Sequence, residues 1–120
     1  MPMKQLLLVG LGGMIGSMLR YLTGQMIRLE NFPYATFTVN LLGSLLIGAI
    51  MGFAARQEGF TNWRLFLATG ICGGFTTFSA FAWENLQLLG QERYGTFAAY
   101  TGATLVLGIG AVALGYWLTK

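Results

Sequence analysis

The sequence predicts an all-α membrane protein: four transmembrane helices with a break in the third. Three observations carry that prediction. Of 120 residues, 55% are hydrophobic and only 9% charged, whereas soluble domains carry about a quarter charged. Four apolar blocks, residues 5–27, 36–55, 64–87 and 94–118, are each long enough for a bilayer core of about 30 Å, which needs about 20 helical residues. The third block contains Gly70-Ile-Cys-Gly-Gly-Phe-Thr-Thr-Phe-Ser-Ala-Phe-Ala-Trp-Glu84, where glycine, hydroxyl and aromatic residues interrupt the apolar run. Gly70, Gly73 and Gly74 each lower helix propensity by about 1 kcal/mol against alanine, and β-branched Thr76 and Thr77 follow directly. Backbone groups freed in hydrocarbon cost several kcal/mol each unless satisfied. A break at this depth is therefore predicted to be buried in protein or to line a polar cavity. Phe78 and Phe81, three residues apart, share a helical face just beyond it.

The linkers, Arg28 to Ala35, Arg56 to Trp63 and Leu88 to Arg93, are short, so residues 1–120 read as a single transmembrane domain whose function lies within the membrane. Lys4 and the apolar run after it resemble the start of a signal peptide, but no small-x-small cleavage site is followed by a soluble mature domain and the block continues to Ile27. One cysteine, Cys72, excludes an intrachain disulfide and reads as a small buried apolar residue. The net charge of +3 is small and scattered, which gives nucleic acid nothing to bind. Histidine is absent and the carboxylates are only Glu30, Glu58, Glu84 and Glu92, a poor supply for acid–base or metal catalysis. The chain is not expected to be an enzyme.

In the first block Gly12, Gly16, Arg20 and Gly24 recur every four residues, a small-residue stripe suited to close helix packing. A guanidinium inside an apolar block is expensive unless it snorkels, pairs or faces water, so Arg20 either reaches the interface or sits at the mouth of a polar pathway. The second block repeats the spacing with Asn40, Ser44, Gly48 and Gly52. Burying the Asn40 amide unpaired would cost a few kcal/mol; it either bonds another helix or points its donors into a pore. Glu84 is either a proton-coupling carboxylate or the solvated end of its helix, and Asn85 and Gln87 nearby favour the second. The fourth block offers Tyr100, Thr101 and Thr104, with Tyr100 and Thr104 on one face and Gly108 a turn further along it. Threonine hydroxyls in membrane helices usually bond their own i−4 carbonyl.

Charge gives little orientation: Lys4, Arg56, Arg64 and Lys120 fall on the side of the termini, and Arg28 and Arg93 on the other, with Arg20 near that end. So thin a bias predicts insertion both ways. Four helices are few to enclose a hydrophilic path, which predicts a homodimer, its two-fold axis in the membrane plane if the copies insert oppositely.

With these motifs in hand, the sequence resembles the small bacterial fluoride channels, the Fluc family, along its whole length. The resemblance rests on Gly12-Gly-Met-Ile-Gly16 leading to Leu19-Arg20-Tyr21, then Thr36-Phe-Thr-Val-Asn40-Leu-Leu-Gly43. It continues with Gly73-Gly-Phe-Thr-Thr-Phe-Ser-Ala-Phe81 and with Tyr94-Gly-Thr before the last helix. It implies an antiparallel, dual-topology homodimer in the bacterial inner (plasma) membrane, with two narrow pores and broken third helices crossing at the centre. It also implies that Asn40 donates hydrogen bonds in the pore, and that Phe78 and Phe81 form an aromatic box along the fluoride path. Tyr100 and Thr104 would begin a polar track, and Arg20 would stand at an aqueous vestibule. Backbone carbonyls of Gly73 and Thr76 from both subunits would hold a structural sodium ion. Two departures are visible: Ala35 stands where a glycine often precedes the Thr36 motif, and Gly108 where the track often continues with a hydroxyl.

The expected function is passive, fluoride-selective export from the cytoplasm. Fluoride is small and strongly hydrated, so a pore must replace its water with N–H and O–H donors and the positive edges of aromatic rings. A proton-coupled small multidrug transporter is the alternative, but it needs a carboxylate in the first helix, which has none. A structural membrane subunit, its polar stripes only joining helices, is the other.

Overall fold

The computed structural model describes residues 3–28 and 31–120, and over these every regular element is helical. The first two blocks form α1 (Met3–Met26) and α2 (Tyr34–Ala54). The third span, Thr61–Gly90, is composite. It runs as α3 (Thr61–Arg64), a π-helical stretch (Leu65–Cys72), α4 (Gly73–Phe75), the pair Thr76 and Thr77, and α5 (Phe78–Gly90). The last block is α6 (Tyr94–Thr119). The four spans contain 24, 21, 30 and 26 residues and are apolar enough to cross a membrane; at about 1.5 Å per residue the shortest already reaches about 30 Å. The chain is a multi-pass membrane protein. Glu30, one of the four carboxylates, lies outside the described residues.

Two glycine-lined seams hold the spans together. Along the first, α1 packs on the π-helical stretch and α4. A Cβ on Gly16 would lie 2.8 Å from the Phe75 nitrogen, and one on Gly74 would lie 2.5 Å from the Gly13 carbonyl oxygen. Backbone-to-backbone contact of this kind is what small residues permit in lipid, where packing rather than the hydrophobic effect joins helices. The predicted α1 stripe divides here: Gly12 and Gly16 are buried in the seam, whereas a side chain on Gly24 would meet open space. The second seam joins α2 to α6, the most extensive pairing in the molecule.

The small buried core lies at one end, where Phe81, Leu88 and Tyr100 pack with Phe32, Phe37 and Phe97. Outward-facing Val106 and Ile109 are each 71% exposed, the arrangement expected where lipid, not water, surrounds the helices. The α5–α6 corner closes with Glu92 at φ 58°, Arg93 N–H donating to the Leu88 carbonyl at 2.9 Å and Glu92 N–H to that of Leu89 at 3.1 Å. That is a Schellman closure in which a non-glycine residue takes the left-handed position.

Candidate functional site

The site is built around Thr76 and Thr77, whose backbones are extended at φ −84°, ψ 157° and φ −152°, ψ 122°. Local hydroxyl bonds close the helix on either side. Thr76 donates to the Cys72 carbonyl through both N–H and Oγ1, each at 2.9 Å. The Thr77 hydroxyl accepts from Ala80 N–H at 3.2 Å, an N-cap that starts α5.

Three long-range bonds from two side chains then fix this segment. From α2, the Asn40 amide reads the Thr77 peptide in both directions. Thr77 N–H donates to Oδ1 at 2.8 Å, and Nδ2 donates to the Thr77 carbonyl at 3.1 Å. From α1, Arg20 Nε donates to the Gly74 carbonyl at 3.1 Å. The guanidinium thus pairs with backbone from the interrupted span, a charge-assisted bond worth about 1.5–3 kcal/mol. Both sequence alternatives for Asn40 are physically compatible, because an amide has two N–H groups and only one is used here.

Beside this junction lies a cavity of about 330 Å³ between α2, the third span and α6. Asn40, Gly73, Thr76, Phe78, Phe81 and Thr104 all line it, and among the described residues no charged side chain does. The Phe78 and Phe81 rings meet at 5.8 Å with planes 45° apart. They differ in burial: Phe81 is 8% exposed and Phe78 is 78% exposed. Thr104 departs from the usual behaviour of membrane threonines. Thr23 and Thr119 bond their i−4 carbonyls at 2.9 and 3.1 Å, but Thr104 Oγ1 is buried with no hydrogen-bond partner among the described residues. Gly108 also lines the cavity. A Cβ there would lie 3.8 Å from Ser44 Oγ, so α2 supplies a hydroxyl opposite the position where α6 lacks one.

Arg20 and Tyr100 lie outside this cavity. Arg20 lines a second one of about 400 Å³, with Ser17, Gln25 and Thr36, and Thr77 is part of the wall of both. Tyr100 is fully buried, its ring 5.0 Å from that of Phe81, and its hydroxyl donates to Glu84 Oε1 at 2.8 Å. Thr36 Oγ1 donates to Glu84 Oε2, also at 2.8 Å. Glu84 is therefore not a solvated helix end: it is partly buried and joins α2, α5 and α6 through one carboxylate, and neighbouring Asn85 is buried as well. Local sequence could not reveal this, because the donors lie 48 and 16 residues away.

Comparison with known proteins is consistent along the chain. Residues 7–116 match the family described as CrcB-like protein, Camphor Resistance (CrcB). A protein of Phocaeicola vulgatus named fluoride-specific ion channel FluC is 47% identical over 98% of this chain and 100% of its own length. Another so named, from Methylobacillus flagellatus, is 46% identical over 98% of this chain and 96% of its own. One from Leptospira interrogans is 43% identical over 98% and 95%. With a family match over most of its residues and relatives matched almost end to end, this chain belongs to the CrcB family.

Proposed function

We propose that this protein is a fluoride-selective, passive ion channel that lets fluoride leave the cytoplasm of a bacterium across the inner membrane. The observation that carries the reading is the uncharged cavity walled by the Asn40 amide, the unpartnered Thr104 hydroxyl and the rings of Phe78 and Phe81. Donors and ring edges can substitute for the water around a small anion, and the lack of a fixed positive charge keeps the ion from being held too tightly to leave. No bond is made or broken, so the protein is a conduit and not an enzyme. The names of the matched relatives support the same ion.

The active unit is an antiparallel, dual-topology homodimer with two pores. Phe78, far out of the protomer surface beside the cavity, gives each copy a large apolar ring to insert into its partner. The extended pair at Thr76 and Thr77 acts as the break at which two third helices cross. Arg20, in the second cavity, faces the vestibule through which the ion enters.

A sodium ion fits the crossing as a structural cofactor. The described residues hold no cluster of three or more His, Cys, Asp or Glu, and a hard monovalent cation is served by neutral oxygen. Arg20 and Asn40 already occupy the Gly74 and Thr77 carbonyls, so Gly73, exposed on the protomer surface, and Thr76 are the residues whose carbonyls would hold it. When bound, the ion supplies positive potential and a fixed crossing point. Fluoride efflux from proteoliposomes, read with an ion-selective electrode, tests the function directly.

A further inference from the structure

At the end of the protomer that carries both termini, Lys4, Leu8, Asn62, Trp63 and Phe66 line a groove of about 380 Å³ between α1 and the start of the third span. It shares no residue with the ion cavity. Its volume falls within the about 300–1,000 Å³ usual for ligand clefts.

The groove is lined by one cationic, one amide and three apolar side chains. Lys4 and Leu8 lie one turn apart on α1, so a basic and an aliphatic residue line the same wall. On the facing wall Asn62 adds an amide to the lining, while the Trp63 and Phe66 rings meet edge to face at 6.4 Å and 78°. Trp63 is 59% exposed. No carboxylate lines the groove, and this end of the chain sets Lys4, Arg56, Arg64 and Lys120 against Glu58 alone. A snorkelling lysine and an interfacial tryptophan need no concavity between them; here they flank one.

We propose that this groove binds an anionic glycerophospholipid. The Lys4 ammonium and the Asn62 amide hold the phosphate, and one acyl chain runs down over Leu8 and Phe66. The charge complementarity selects an anionic lipid, because one ammonium unopposed by a carboxylate stands beside three apolar side chains in the same lining. One basic residue near an anionic lipid surface contributes about a fivefold change in binding. The site needs only a membrane around the helices and stands or falls independently of the permeant ion.

Native mass spectrometry of the detergent-solubilised protein tests it, with phosphatidylglycerol and phosphatidylcholine of identical acyl chains added in turn. Phosphatidylglycerol adducts should exceed phosphatidylcholine adducts by about fivefold or more, and Lys4→Gln should abolish that preference. Asn62→Ala should weaken it, while Lys120→Gln, at the same end but outside the groove, should leave it intact. Equal retention of the two lipids, or an unchanged preference in Lys4→Gln, would overturn the proposal. So would a loss of dimer rather than of lipid in Lys4→Gln, which would make the groove a contact between copies.

Discussion

Asn40 and Thr77 are joined by two hydrogen bonds of opposite sense, the Thr77 N–H donating to the amide oxygen at 2.8 Å and the amide nitrogen to the Thr77 carbonyl at 3.1 Å. A single side chain on α2 thus satisfies both backbone groups of Thr77 while its second N–H remains available to the cavity it lines. Asn40→Ala should leave both Thr77 groups unpaired, at about 1–3 kcal/mol each, and lower both melting temperature and flux. Asn40→Asp keeps an acceptor for the Thr77 N–H, so its stability should stay closer to wild type. Its added negative charge should still cut fluoride flux about tenfold or more. Thermal melts and electrode efflux on both variants check this; a conducting Asn40→Asp would confine Asn40 to a packing role.

Glu84 makes a second prediction. Its carboxylate accepts from Thr36 and Tyr100 at once, and a glutamine can offer only one oxygen to those two hydroxyls. Glu84→Gln should destabilise the protein, and Tyr100→Phe should cost less on that background than in wild type. A double-mutant cycle from denaturation midpoints should give a coupling of about 0.5–3 kcal/mol. Additive losses would show that the bond between Tyr100 and Glu84 carries no coupling energy.

Gly16 and Gly73 should respond oppositely to the same change. An alanine Cβ at Gly16 would press into the α1 seam, 2.8 Å from the Phe75 nitrogen. At Gly73 the nearest atom is the Ala68 carbonyl oxygen at 3.9 Å. Gly16→Ala should impair folding of the protomer itself. Gly73→Ala should spare the protomer and weaken the proposed dimer, in which a second copy would crowd it. Size-exclusion profiles and helical content by circular dichroism distinguish the outcomes.

The two seams and the four spans were legible because hydrophobic blocks and four-residue glycine spacing are local patterns. Gly12 and Gly16 were readable in this way; Gly24, in the same stripe, lines the second cavity instead, and a Cβ there would meet no atom within 4 Å. The linkage of Glu84 was not legible, since a carboxylate followed by Asn85 and Gln87 looks like the last turn before water. Nor was the partner of Arg20, because a bond to the Gly74 carbonyl 54 residues away depends on which face of α1 meets the interrupted span. The π-helical stretch over Leu65–Cys72 carries no residue pattern that separates it from α-helix.

Sodium dependence should appear in flux. Exhaustive replacement of sodium by a large organic cation should reduce fluoride efflux, and its return should restore it, with no sodium transported. Undiminished flux after depletion would show that protein or water alone satisfies the Gly73 and Thr76 carbonyls.

The central claim is ion selectivity through a cavity of uncharged donors and aromatic edges. The most direct measurement is electrode-recorded efflux from proteoliposomes loaded in parallel with fluoride or chloride, using the wild-type protein at equal density. Rapid fluoride release with chloride retained is the predicted result. Equal release of both anions, or retention of both, would contradict it.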